Sequence, residues 1–230
     1  MYKKILSFDA ATKTFAFLFM EINTDLFNED SELHTRMKFQ NKLINGLRKR
    51  YADKALTLAE CERIRDFMNT TKAMIKSQIH FIDGETVDLV PGKHNSEITP
   101  IERIKAFVDY ADRRIKPLIS PDITVHVEFQ MGPNVKSNII EMAIITYFAK
   151  HEIIEINPNI KNNISFPGYT YNLYLQKYDT SYAANKSHCL DNFIFAETLF
   201  TSSVPKSTRA MRGHMADCAM QSIAYFAYNT

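Results

Sequence analysis

The sequence predicts an α/β protein with a mixed central sheet flanked by helices, and three observations carry that expectation. Two apolar runs near the start, Ile5 to Asp9 and Thr14 to Ile22, are separated by a short polar turn, as in a β-hairpin. Beyond residue 100 helical and strand-like periods alternate, which is the pattern of helices packed on a sheet. At 230 residues with 45% apolar side chains, the chain is long enough to bury one full core.

In the second strand Phe15, Phe17 and Phe19 alternate with Ala16, Leu18 and Met20, so both faces of that strand are expected to be covered. From about residue 23 to 87 the pattern changes. Lys42 to Lys76 is rich in charge, with apolar residues at helical spacing, and reads as a largely helical insertion into a single domain spanning 1–230. Phe81 to Val90 reads as a hairpin or a returning strand. Thr99-Pro-Ile-Glu102 then supplies a capping side chain, a proline at the first helical position and a glutamate at the third. Ile101, Ile104, Phe107, Val108, Ala111, Ile115 and Leu118 continue that helix on one apolar face towards Pro121. Ile123 to Glu128 is strand-like. Asn134 to Lys150 reads as a helix carrying Ile139, Met142, Ala143, Tyr147 and Phe148. Glu152 to Ile156 is a short strand, followed by a loop and by helices near 182–200 and 206–228.

Composition excludes several classes. The 28 basic and 26 acidic residues leave a formal charge of only +2, so any nucleic-acid footprint must be a local patch. Cys61, Cys189 and Cys218 are odd in number and lack C-x-x-C spacing, which argues against a disulfide framework and structural zinc. No apolar run approaches the ~20 residues that cross a bilayer, and the apolar stretch before Asp9 is too short for a signal peptide. A soluble, intracellular protein is expected.

Four positions stand out by their order. Asp9 ends the first strand, where a side chain can emerge from the carboxyl edge of a sheet; a turn aspartate is the plainer alternative. Glu128 ends the strand Ile123-Thr-Val-His-Val-Glu128 and shares a face with His126, while Val125, Val127 and Phe129 point the other way. A charge there is costly unless it is paired, ligates a cation, or lies at an exposed edge. His214 and Asp217, three apart, share one helix face that Gln221 extends, with Ala216, Met220, Ile223 and Ala227 on a separate apolar face. A solvated helix face is the alternative.

Such a set suits two divalent ions ~3.5–4 Å apart, which can hold the attacking water and the leaving oxygen of a phosphodiester displacement. Mg²⁺ prefers a few carboxylates with water and substrate oxygens. In that arrangement Asp9 bridges both ions, with Glu128 on one and Asp217 on the other. His214 either ligates, which suits Mn²⁺, or orients the water. Lys161, after the last strand, and Lys186, opening a helix, can each stabilise charge on the scissile phosphate, with a solvated surface lysine as the plainer alternative for each.

Five segments, Ser7-Phe-Asp9-Ala-Ala-Thr12-Lys13, Pro121 to Gln130, Ile154-Glu-Ile-Asn-Pro158, Ala184-Asn-Lys186 and His214-Met-Ala-Asp217-Cys-Ala, come in an order that resembles the RuvC-type Holliday-junction resolvases. The likeness is to the poxvirus-type branch of large DNA viruses, within the RNase H-like superfamily. It implies an RNase H-like fold, metal ligands at Asp9, Glu128, His214 and Asp217, and a catalytic lysine at Lys186 with Lys161 as second candidate. It places Lys161, Lys186, Lys13 and Arg212 on DNA. It also implies Mg²⁺ or Mn²⁺, two per site, and a homodimer cutting opposing strands of a four-way junction, in the host-cell compartment of viral DNA replication. Relatives usually carry a glycine or proline where this chain has Ala10-Ala11. The basic residues Lys42, Arg48, Lys49, Arg50 and Lys54 of the insertion suit phosphate contacts, with a solvated helix face as the alternative.

The expected activity is thus a metal-dependent, structure-selective endodeoxyribonuclease of recombination and repair. Its rivals are an RNase H-like nuclease acting on RNA–DNA hybrid and a non-catalytic branched-DNA-binding module. An actin-like ATPase shares the opening Asp-x-x-Thr, but 6 glycines and no Gly-rich phosphate loop argue against it.

Overall fold

The computed structural model describes residues 1–11, 14–27, 78–130, 135–163, 174–175, 177–199, 201–202 and 209–229, with isolated positions between 57 and 69. In chain order the elements are β1 (Tyr2–Ala10), β2 (Thr14–Asn23), β3 (Ile79–Asp88), α1 (Pro100–Tyr110), β4 (Ile123–Glu128), α2 (Val135–Tyr147), β5 (Glu152–Ile156), α3 (Ser181–Leu199), β6 (Thr201–Ser202) and α4 (Arg209–Asn229). Most of the expected helical insertion, including its basic cluster, lies outside the described residues.

The strands form one mixed sheet in the order β5-β4-β1-β2-β3, with two-residue β6 on its edge. β1, β2 and β3 pair antiparallel, whereas β4 pairs parallel to β1 and β5 parallel to β4. The predicted N-terminal hairpin is therefore present, and Phe81 belongs to a returning strand beside β2. This corrects the C-terminal bound of the insertion, because residues 79–88 complete the sheet. Gly84 stands where the strands close in: a Cβ would lie 2.9 Å from the Phe17 carbonyl oxygen, next to a register shift at Phe19 and Met20.

The sheet is covered on both faces, as the alternating β2 pattern requires. Ala16, Leu18, Met20 and Ile22 pack with Ile5 against α3 and α4. Phe15, Phe17 and Phe19 pack with Leu6 and Phe8 against Phe107, Ile140, Ile144 and Phe148 of the α1–α2 face. Phe8 is wedged between Phe15 and Phe148, with ring centroids 5.6 and 5.4 Å away.

α1 begins with the predicted capping box: the Glu102 amide donates to Thr99 Oγ1, and the Thr99 amide donates to the Glu102 carboxylate. The apolar face departs from expectation. Phe107, Tyr110, Ala111 and Ile115 are buried, while Ile101 and Ile104 are exposed. The helix then widens to π geometry over Ala111–Ile115 before a 3₁₀ turn at Lys116–Leu118, with Ala111 and Ile115 kept on the buried side, so the departure is confined to the exposed first turns at Ile101 and Ile104. In α2 the buried stripe is Ile140, Ala143 and Ile144, so the expected core residue Met142 points outward.

α4 differs most from a surface helix. Every residue from Met215 to Ala224 is buried. The reading of His214 and Asp217 as a solvated face is thereby overturned for Asp217, and apolar residues surround the helix instead of forming one stripe. Its polar side chains are tied to the sheet. Gln221 Nε2 donates to Ser7 Oγ (2.9 Å) and to the Phe8 carbonyl (3.0 Å), while Ser7 Oγ donates to the Cys218 carbonyl (2.8 Å).

His126, opposite Ser7 in the β4–β1 ladder, also faces α4, with Nδ1 2.9 Å from Ser222 Oγ. Burial, with the positive charge of Lys3, pushes its imidazole down to about 3. Between that value and the unfolded value of about 6.5, only the unfolded chain binds the proton, so acid favours unfolding. Lowering the pH from 7 to 5 is expected to cost wild type about 2 kcal/mol more than it costs His126→Phe. Denaturant titrations at the two pH values measure this, and equal losses in the two proteins would refute it.

Candidate active site

Parallel pairing brings three strand ends to one edge. Phe8 lies opposite Val127 and Glu128 lies opposite Ile156, so Asp9, Glu128 and the chain leaving β5 emerge side by side. Asp9 follows the alternation of Ile5 and Ser7 towards the α4 face, and Glu128 follows His126. α4 crosses this edge and presents His214 and Asp217. The 3₁₀ turn Ile160–Asn163 after β5 supplies Lys161, and the first turns of α3 supply Lys186. All six line one cavity of about 350 Å³, together with Gln130, Asn159, Tyr182 and Asn185.

Within it, candidate ligand atoms of Asp9, His214 and Asp217 all lie within 4.8 Å of one another, a group that could hold a metal ion. His214 Nδ1 is 2.7 Å from Asp9 Oδ2, and its Nε2 is 2.8 Å from Thr14 Oγ1. A partner on the far ring nitrogen fixes tautomer and ring orientation, as is usual for ligating histidines. Glu128 stands apart from that triad: its nearest cation is Lys161, whose Nζ is 3.3 Å from Glu128 Oε2 and 2.7 Å from Asp217 Oδ1. Lys186 holds the other oxygen, Asp217 Oδ2.

The electrostatics follow from burial. Burial alone raises the Asp217 carboxyl, but Lys161 and Lys186 outweigh it and hold the group below the usual carboxylate range. Glu128 goes the other way: burial lifts it to about 7 against the pull of Lys161, with Asp9 and Asp217 adding to the rise. Burial disfavours the Lys161 ammonium, yet Asp217 and then Glu128 raise it well above the ordinary lysine value. Asp217, the closer carboxylate, is its principal partner. Cys189 and Cys218 are free and buried, and burial followed by Asp217 pushes Cys189 well up, so it stays a thiol at neutral pH and supplies no thiolate ligand.

The structure thus brings together Asp9, Glu128, Lys161, Lys186, His214 and Asp217. Arg212 is half-buried in the first turn of α4 and is not among the residues that line the cavity. Lys13 lies outside the described residues. Sequence reasoning missed Thr14 and the pairing of Lys161. Thr14 had a signal, since it begins the strand antiparallel to the one Asp9 ends. The Lys161 contacts had none, because they depend on how a loop returns beneath α4. Among the described residues no helix is long and apolar enough to cross a membrane. No family model matches the chain, and neither a curated protein nor a solved structure matches it.

Proposed function

We propose that this protein is a metal-dependent endonuclease of RNase H-like fold that resolves four-way DNA junctions. The observation that carries the reading is the convergence, in one cavity, of two ion-paired lysines with the four positions that resemble the resolvase site. A sheet antiparallel through its first three strands and parallel beyond them fits the mixed sheet which that resemblance implies.

The donor set fits a divalent cation. Asp9 and Asp217 offer hard oxygens and His214 a borderline nitrogen, a combination that admits Mn²⁺ as well as Mg²⁺. A bound ion would supply charge stabilisation at the phosphoryl group and ease deprotonation of water. The chain's own residues do the rest. In hydrolysis a water oxygen bonds to phosphorus as the bond to the sugar oxygen breaks, and that leaving oxygen takes up a proton. Lys186, whose side chain is 37% exposed at the cavity mouth, can turn from Asp217 to the phosphate oxygens. Lys161, only 8% exposed, is anchored beneath it and keeps Glu128 and Asp217 in place. The substrate-facing role therefore falls to Lys186.

Two such sites in a homodimer would cut opposing strands in register, with the junction recognised through backbone geometry more than base edges. Incubating the protein with a synthetic four-way junction and Mg²⁺ or Mn²⁺ is expected to give paired symmetric nicks, and none in EDTA. A hybrid RNA–DNA duplex cut faster than the junction would favour the hybrid nuclease. Tight junction binding in EDTA with no cleavage under either metal would favour the non-catalytic module.

A further inference from the structure

We infer that each site takes a single divalent cation, at Asp9, His214 and Asp217, and that the Lys161 ammonium occupies the position between Glu128 and Asp217 that a second ion would need. The inference rests on the metal-dependent reading above and departs from the two-ion arrangement expected from sequence.

Three observations support it. First, the ligand atoms that cluster within 4.8 Å belong to Asp9, His214 and Asp217, while Glu128 is engaged by Lys161 at 3.3 Å. Second, the two lysines differ in freedom. Lys186 is half-exposed and can leave Asp217 when an ion arrives, whereas Lys161 is buried and bonded to two carboxylates. Its backbone is fixed too: the Ile160 amide donates to the Asn157 carbonyl at 3.0 Å and the Asn162 amide to that of Asn159 at 3.1 Å. A divalent ion entering between Glu128 and Asp217 would have to expel a like charge with nowhere to go.

Third, the charges balance with one ion. Even with every acid ionised, the site sets three carboxylates, Asp9, Glu128 and Asp217, against two ammonium groups, Lys161 and Lys186, which leaves at most one negative charge, and a proton on Glu128 removes it. One divalent ion turns the fully ionised site to a single positive charge, which the single negative charge of a phosphodiester neutralises. Two ions would leave the buried site strongly positive even with substrate bound, a state that low-dielectric surroundings penalise.

The test counts Mn²⁺ on the full chain by titration calorimetry and by electron paramagnetic resonance. Wild type is expected to bind one ion per chain, with the spectrum of an isolated ion. Glu128→Gln is expected to keep that ion with affinity within about threefold, and Asp9→Asn to weaken it at least about tenfold. Lys161→Met, which removes the charge from a similar unbranched chain, is expected to admit a second ion. Two spin-coupled ions in wild type, or loss of the ion in Glu128→Gln, would overturn the inference and leave the nuclease reading intact. Binding of no ion to wild type would overturn both. The wild-type spectrum and Glu128→Gln decide the matter even where Lys161→Met does not fold.

Discussion

Asp217→Asn is expected to lower the stability of the fold by about 3–5 kcal/mol at neutral pH in EDTA. Asparagine keeps the shape of the side chain and removes only its charge. That charge is fully buried and faces Lys161 at 2.7 Å, with Lys186 on its other oxygen. Removing one member of a buried ion pair leaves the desolvation cost of the others uncompensated, which exceeds the net worth of the intact pair. The Lys161 ammonium would retain only Glu128, the more distant carboxylate. In a chain of 230 residues the loss corresponds to a fall in Tm of roughly 6–20 °C. The sign of its pH dependence is fixed. The lysines outweigh burial and hold the folded Asp217 below the usual carboxylate range. The contribution is therefore complete above about pH 4 and fades as pH falls through the depressed folded value. Melting curves of the two proteins should converge in acid. Equal midpoints at pH 7 would show that the Asp217 charge is not what holds the two lysines.

Asp9→Asn is expected to reduce junction cleavage by at least about 100-fold with Tm nearly unchanged. Changing a residue that merely supports a metal ligand typically costs 10–100-fold, so loss of the carboxylate proposed as a ligand should cost no less. Asp9 contacts neither lysine within ion-pair distance among the described residues; its close partner is His214 Nδ1 at 2.7 Å. An asparagine oxygen can still accept a hydrogen bond from that ring, so the local structure survives while the anionic donor is lost. Single-turnover cleavage of a labelled four-way junction, with thermal melts as control, separates catalysis from folding. Cleavage within a factor of three of wild type would remove Asp9 from the chemistry.

Much of this arrangement was legible from residue order alone. The strand ends at Asp9 and Glu128 were visible because parallel neighbours carry continuous apolar runs, against which a terminal acid stands out. The spacing of His214 and Asp217 placed them on one helix face. The burial of that face was not legible, because the stripe of Ala216, Met220, Ile223 and Ala227 marked only one buried side, whereas Met215, Asp217, Ala219, Gln221 and Ala224 are buried as well. The π turn after α1 was equally silent, since a change of pitch leaves composition untouched. Lys161 was visible only as a cation after the last strand. That it reaches back beneath α4 to pair with Glu128 and Asp217 is a long-range contact, and local pattern holds no record of it.

The enclosure of α4 has a consequence for motion. The amide protons around Asp217 sit in the stretch Met215–Ala224, whose side chains are all buried, so they are expected to be freed only when the sheet itself comes apart. Their exchange with deuterated solvent should need complete unfolding and should slow in step with global stability. The mouth of the cavity, where Lys186 and Tyr182 meet solvent, should exchange far sooner. Protection is thus expected to divide the site into a fixed floor, which sets where charges stand, and a looser rim through which the proposed substrate would enter and leave.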